Sequence, residues 1–282
     1  MVHEISRKNA ATQHQDDVIN WVLDAFRELG YEQIEFVKHC ANEEIEATKN
    51  LETLFRSNTI EVKVLTVFSK RIGSKYLMET LENVLTQIIL KNAEMEIFEN
   101  KIADRAKMDV NRKNVEAAFQ QIFDAIMQSS KKVPWEIRLI QHLVWEGVQA
   151  KFPDSATKIH CTGCFYFLRF LCPALVIPEK ANIVGVAPSA NLQRGLLFIT
   201  KILQSMANNV LFGSKEPQMI CFNEIIERNR TRFNQFLQEI SQLVDYTPEK
   251  FEPKKMSDNV YDKLRGEFIA VIDKLEPLLY CI

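Results

Sequence analysis

Apolar residues return every three or four positions through almost the whole chain, and no strand-length run alternates apolar with polar. That spacing matches the 3.6-residue helical turn and lays a buried stripe along each segment, so the chain is confined to helix-on-helix packing. Val18, Val22, Ala25, Phe26 and Leu29 predict one helix, which Gly30 would close. A second is expected from about Ile34 towards Leu51, rich in Glu and Ala. Ile60, Val64, Leu65 and Phe68 predict a third that ends near Gly73, and Leu77, Leu81, Val84, Leu85 and Ile88 a fourth. Residues 93–111 lose the period and carry many charges, which predicts a connection or a short exposed helix. Val115, Phe119, Ile122, Phe123 and Ile126 resume it, and Pro134 opens a further helix bearing Ile137, Ile140, Leu143 and Val144. With only 8 glycines in 282 residues, the tight turns of a sandwich or barrel are hard to supply. The expected fold class is all-α.

Composition narrows the function classes. A net charge of −2 argues against a general nucleic-acid binder. No apolar stretch approaches the length of a membrane span, and the opening residues lack the apolar core of a signal peptide, so no membrane insertion is expected. Six cysteines in a chain this long do not form a disulfide scaffold, which points to free thiols in a reducing, cytoplasmic setting.

Two segments stand apart. In residues 160–179 the run from Phe165 to Leu171 is apolar all round except for Arg169, so this helix must be buried. Pro173 is expected to stop it and Pro178 to keep its exit extended. A guanidinium in that setting needs a partner, because an uncompensated buried charge is prohibitive; an ion pair or a backbone carbonyl would serve. In residues 190–213, Leu192, Leu196, Ile199, Leu203, Met206 and Val210 form a regular buried stripe. Arg194, Lys201 and Asn208, spaced by seven, line the opposite side with Gln204 beside them. Residues 158–215 hold six basic residues and one acid, Glu179, for a local charge of +5, while the rest of the chain carries −7. A basic band on an acidic protein predicts an acidic partner surface.

These segments, in this order, resemble the catalytic domain of Ras GTPase-activating proteins of the neurofibromin type. The resemblance lies in Phe167-Leu168-Arg169-Phe170 with Cys172-Pro173-Ala174, in Arg194-Gly195-Leu196, and in the run from Lys201 to Asn208. Upstream, the run from Thr53 to Thr59 around Arg56 is similar to the family's finger loop, and weaker likeness continues through Lys63, Tyr76 and Leu77. The three elements lie about 110 and 30 residues apart, across roughly residues 50–240. The resemblance implies one all-α RasGAP-type domain over 1–282, with helices 1–49 and 241–282 as an accessory subdomain. It implies a monomer that binds a GTP-loaded Ras-family small GTPase, at membranes where that partner is anchored, and accelerates GTP hydrolysis. Arg56 would be the arginine finger and Arg169 its brace; Leu168, Arg194, Lys201, Gln204 and Asn208 would face the partner. GTP and magnesium would belong to the GTPase, so no cofactor of its own is expected. Alternatives within the same resemblance are a scaffold that binds without catalysis, or a Rap-type substrate. Ser57 and Glu61 depart from common family choices without touching the guanidinium, and Cys172 stands where neurofibromin has Asn and other members have Cys.

His160-Cys161-Thr162-Gly163-Cys164 has half of a zinc pattern and no second half, so small apolar cysteines are the better reading. His142, on an apolar helix, is expected to be a satisfied core histidine, and Lys131-Lys132 a solvated turn. No GxxxxGK[ST] is present, so nucleotide binding through a P-loop is excluded.

Overall fold

The computed structural model describes residues 2–28, 33–102, 104–153 and 158–242, with backbone alone at 2–14 and 158–159. The helices are α1 (Val2–Glu28), α2 (Gln33–Ala47), α3 (Ile60–Lys91), α4 (Arg105–Gln128), α5 (Trp135–Lys151) and α6 (Lys158–Gly163), then α7 (Cys172–Val176), α8 (Ala190–Ala207) and α9 (Asn223–Ser241). No strand occurs among the described residues, and the all-α expectation holds. Leu29 and Gly30, where α1 was expected to close, and the helix expected beyond 241 lie outside the described residues, apart from the end of α9.

Two apolar clusters make up the interior. One joins Ile19, Leu23, Val37, Ala41, Leu54, Phe55, Leu65, Phe68, Val144 and Phe165, from α1, α2, the loop before α3, the start of α3, α5 and the Cys164–Leu171 segment. The larger one joins the far half of α3 to α4, α8 and α9. α3 serves both, and this corrects the reading of two helices broken at Gly73. A single helix runs from Thr59, whose hydroxyl caps the Val62 N–H, to Asn92 in the left-handed conformation. Gly73 is there for close approach: a Cβ would lie 2.3 Å from Cζ of Phe170. The apolar stripe changes face as α3 passes from one core to the other, which is why its period breaks without a break in the helix.

Residues 93–102 form a connection that is anchored to the core, with Glu94 and residues 99–101 exposed. Met95 and Ile97 are buried, and Asn191 of α8 holds both ends of the Ala93–Met95 backbone. The Glu96 carboxylate accepts from the N–H groups of Ile97 and Phe98 and pairs with Arg194. Residues 105–111 belong to α4, capped by Asp104.

Cys164–Leu171, between α6 and α7, is wound as a π-helix. Phe165, Tyr166, Phe167, Phe170 and Leu171 are buried as expected, and Leu168 and Arg169 lie half-buried. Pro173 does not stop the chain's winding. It occupies the first turn of α7, and the helical winding continues through it from the preceding segment. At Pro178 the chain turns, with Lys180 N–H donating to Ile177 O at 3.1 Å, where an extended exit was expected. The α8 stripe is buried from Leu192 to Met206, but Val210 falls past the helix end and is exposed.

Candidate functional site

Between α2 and α3 the chain makes a 3-10 turn, Leu51–Thr53, whose cap Asn50 accepts from the Glu52 N–H at 3.0 Å. The loop then tightens, with Arg56 N–H donating to Thr53 O at 3.0 Å. Phe55 sits at φ 58°, a conformation that a bulky residue holds only when its surroundings over-determine it. Those surroundings are explicit. The Phe55 ring is buried edge-on against Phe165, with centroids 5.4 Å apart. Its N–H donates to Glu44 Oε1 at 3.3 Å, and its carbonyl accepts from Arg169 Nε at 2.5 Å. Arg169 Nη2 also donates to Ser57 O at 2.8 Å. Glu44 further accepts from the hydroxyls of Ser57, at 3.3 Å, and Thr59, at 2.8 Å. Burial lowers the pKa of Arg169, and the Glu44 charge works against that fall.

Arg56 therefore leaves a loop whose backbone is clamped from both sides. Its own side chain is exposed, and Nη2 donates to Asn208 Oδ1 at 2.8 Å. Asn208 caps the C-terminus of α8 and opens onto a groove of about 570 Å³ lined also by Lys201, Gln204, Leu211, Lys215 and Glu216. Lys201 is ion-paired with Glu216 across it. The structure thus brings Arg56, Asn208, Gln204 and Lys201 to one surface, with Arg169 beneath the loop. Arg194 is engaged elsewhere: its Nε lies 2.8 Å from Glu96 Oε2, and its guanidinium stacks 4.9 Å from the Phe98 ring centroid.

Sequence reasoning missed Glu44. Its signal is an acid in register with Ile34, Val37 and Ala41 on the buried side of α2, a position that a carboxylate occupies only with partners.

Cys161 and Cys164 are buried beside this site. Burial pushes the Cys161 thiol up to about 12 and raises Cys164 too, with the Arg56 charge pulling both back. Both thiols are therefore held in the neutral form by their burial. No group of three or more His, Cys, Asp or Glu is placed to hold a metal among the described residues. His142 Nδ1 lies 3.1 Å from Ser241 O, and Lys131 and Lys132 are exposed in a short 3-10 turn. No helix among the described residues is long and apolar enough to cross a membrane.

Comparison with known proteins places the chain among relatives of one family. A family model described as GTPase-activator protein for Ras-like GTPase matches residues 36–107 and 92–208. The chain is 28% identical over 242 residues to the probable Ras GTPase-activating-like protein ngap of Dictyostelium discoideum, covering 85% of this chain and 28% of that protein. It is 27% identical over 216 residues to Ras GTPase-activating protein 1 of Homo sapiens, covering 76% and 21%. To Neurofibromin-A of Dictyostelium discoideum it is 32% identical over 203 residues, covering 65% and 22%. The chain thus spans less than a third of each relative's length. The clamped loop, both of its charged braces and the facing helix all lie inside the matched residues, and the chain belongs to the RasGAP family.

Proposed function

We propose that this chain is a GTPase-activating domain that docks on the GTP-bound form of a Ras-type small GTPase and inserts Arg56 in trans into the partner's nucleotide site. The observation that carries this reading is the contrast within one loop. Glu44 and Arg169 fix the peptide groups around Phe55, while the guanidinium that follows is exposed. A fixed backbone presenting an exposed arginine suits transition-state electrostatics, where the donor must be in place before charge develops. Phosphoryl transfer to water spreads negative charge over the γ-phosphate and the leaving oxygen, and a planar, permanently charged guanidinium can bridge both. The partner supplies GTP, magnesium and the group that orients water; this chain acts as a monomer and adds no cofactor. Lys201, Gln204 and Asn208 border the docking groove, and Leu168 lies half-buried beside Arg169.

Single-turnover GTP hydrolysis by a panel of Ras-subfamily GTPases tests the reading. Arg56→Ala should lower the plateau rate by about 10³ or more while half-saturation moves little, because the finger acts in the transition state. The finger supplied in trans to Ras is itself the reference case for this effect, so its magnitude of about 10³–10⁵ comes from that known system. Arg56→Lys should rescue little. Hydrolysis within threefold of wild type for Arg56→Ala would remove Arg56 as the finger, and no stimulation by the wild-type domain would leave a binding scaffold in place of an activator.

A further inference from the structure

We infer that Glu44 is a positioning residue for the finger: its carboxylate fixes the Phe55 peptide and thereby the direction in which Arg56 leaves the loop. The inference rests on the reading of Arg56 as the finger. Three loop donors converge on this one side chain, the Phe55 N–H and Ser57 hydroxyl on Oε1 and the Thr59 hydroxyl on Oε2. Nothing local favours an acid there. Glu44 is buried, at 4% exposure, which disfavours the charged form without partners. It also stands in the last turn of α2, where the helix dipole opposes negative charge. The loop supplies what offsets both.

The two braces have different tasks. Arg169 holds carbonyl oxygens, those of Phe55 and Ser57. Holding the carbonyl alone would leave the Phe55 N–H untethered and φ able to return to the ordinary negative region. Glu44 takes that N–H, so both dihedrals of Phe55 are set. Through Thr59, which also caps α3, the same carboxylate ties the far end of the loop to the helix that follows. Glu44 is too deep to meet a docked partner, so its effect must run through the loop.

The test uses Glu44→Gln and Glu44→Met, each in the wild-type and Arg56→Ala backgrounds, with circular dichroism to verify folding. Single-turnover hydrolysis is followed against domain concentration on a Ras-type GTPase, and trypsin cleavage after Arg56 is followed on the domain alone. An amide offers one acceptor where the loop presents three donors, so Glu44→Gln should lower the plateau rate about tenfold and Glu44→Met further, with half-saturation within about twofold of wild type. Cleavage after Arg56 should speed up several-fold in both. In the Arg56→Ala background neither change should lower the residual rate, since a residue that acts through the finger has nothing left to act on. If Arg56→Ala loses its rate while Glu44→Gln keeps wild-type plateau and cleavage, the inference falls and the finger reading stands. An equal loss with and without Arg56 would make Glu44 a general fold residue and also overturns the inference. A wild-type rate for Arg56→Ala removes the finger reading itself. If Glu44→Met does not fold, Glu44→Gln and the cleavage rates decide alone.

Discussion

The loop that carries Arg56 and the helix α8 meet at Asn208, on the rim of the groove, but are held in opposite ways. The loop has irregular backbone, one residue at positive φ, and two charged side chains clamping its peptide groups. α8 is a regular helix anchored by an apolar stripe, and its polar side chains find partners within the chain: Arg194 with Glu96, Lys201 with Glu216, and Asn208 with Arg56. In the loop, charge orders the backbone and leaves the Arg56 side chain exposed. On α8, apolar packing orders the backbone, and charge is engaged side chain to side chain. Disturbing a brace should therefore act on rate, whereas disturbing the helix face should act on docking.

The largest effect that separates the two regions is expected from Arg169→Ala. The substitution removes the donors that satisfy Phe55 O and Ser57 O and leaves the buried Glu44 carboxylate without its facing cation. Stranding such groups costs about 1–3 kcal/mol of stability, and loss of the brace should lower the plateau rate at least tenfold. Thermal melting and single-turnover hydrolysis read the two losses separately. A variant with wild-type melting and wild-type plateau would show that Glu44 and the packing against Phe165 hold Phe55 without the Arg169 brace.

The same contrast decides what could be read before the structure. The helical class, most stripes and the burial of the Cys164–Leu171 segment follow from local spacing, because the 3.6-residue period is written in neighbouring residues. Arg169 announced itself as the one charge in an apolar run. Arg56 is invisible to that logic, since an arginine in a loop has no period, and only the family resemblance singles it out. Glu44 carried a periodic signal, but its meaning depends on a loop 11 to 15 residues onward. Arg194 shows the limit of a face argument: seven-residue spacing aligned it with Lys201 and Asn208, yet Glu96 and Phe98, from a segment without period, engage it. Gly73 misleads for a related reason. Its need for space is set by Phe170, far along the chain, and that contact has no trace in the residues beside it.

On the docking side a smaller, salt-dependent effect is expected from Lys201→Glu. Lys201 is about two-fifths exposed and shares the groove with Glu216 and Lys215. Reversal would set it against Glu216 and against an acidic partner, raising the domain concentration for half-maximal stimulation by about tenfold at low salt. Helix propensity barely separates Lys from Glu, so melting should stay close to wild type. Because Arg56 and its braces are untouched, the plateau should recover at saturating domain. Equal half-saturation for both proteins at two ionic strengths would place docking on another face.

The smallest effect, and the finest test of the comparison, belongs to Asn208→Ala, because Asn208 is where the two regions touch. Its Oδ1 accepts from Arg56 Nη2 at 2.8 Å and lies 3.7 Å from the Cys164 thiol. Its backbone, at φ −80° and ψ −6°, suits alanine without strain, and its N–H bond to Gln204 O is kept. What is lost is the hydrogen bond to an exposed guanidinium, which water replaces, and the weak one from the Cys164 thiol, which keeps Ala207 O at 3.8 Å. The finger then regains rotamer freedom that must be given up again in the transition state, at a cost on the order of 1 kcal/mol or less per side chain. The plateau rate should fall about two- to threefold, with melting nearly unchanged and trypsin cleavage after Arg56 as slow as in wild type, since Glu44 and Arg169 still hold the loop. A loss of tenfold or more with cleavage unchanged would give Asn208 a direct contact with the GTPase or its nucleotide, beyond steadying Arg56. A plateau above wild type would mean that the Arg56–Asn208 bond parks the finger and must break before it can act.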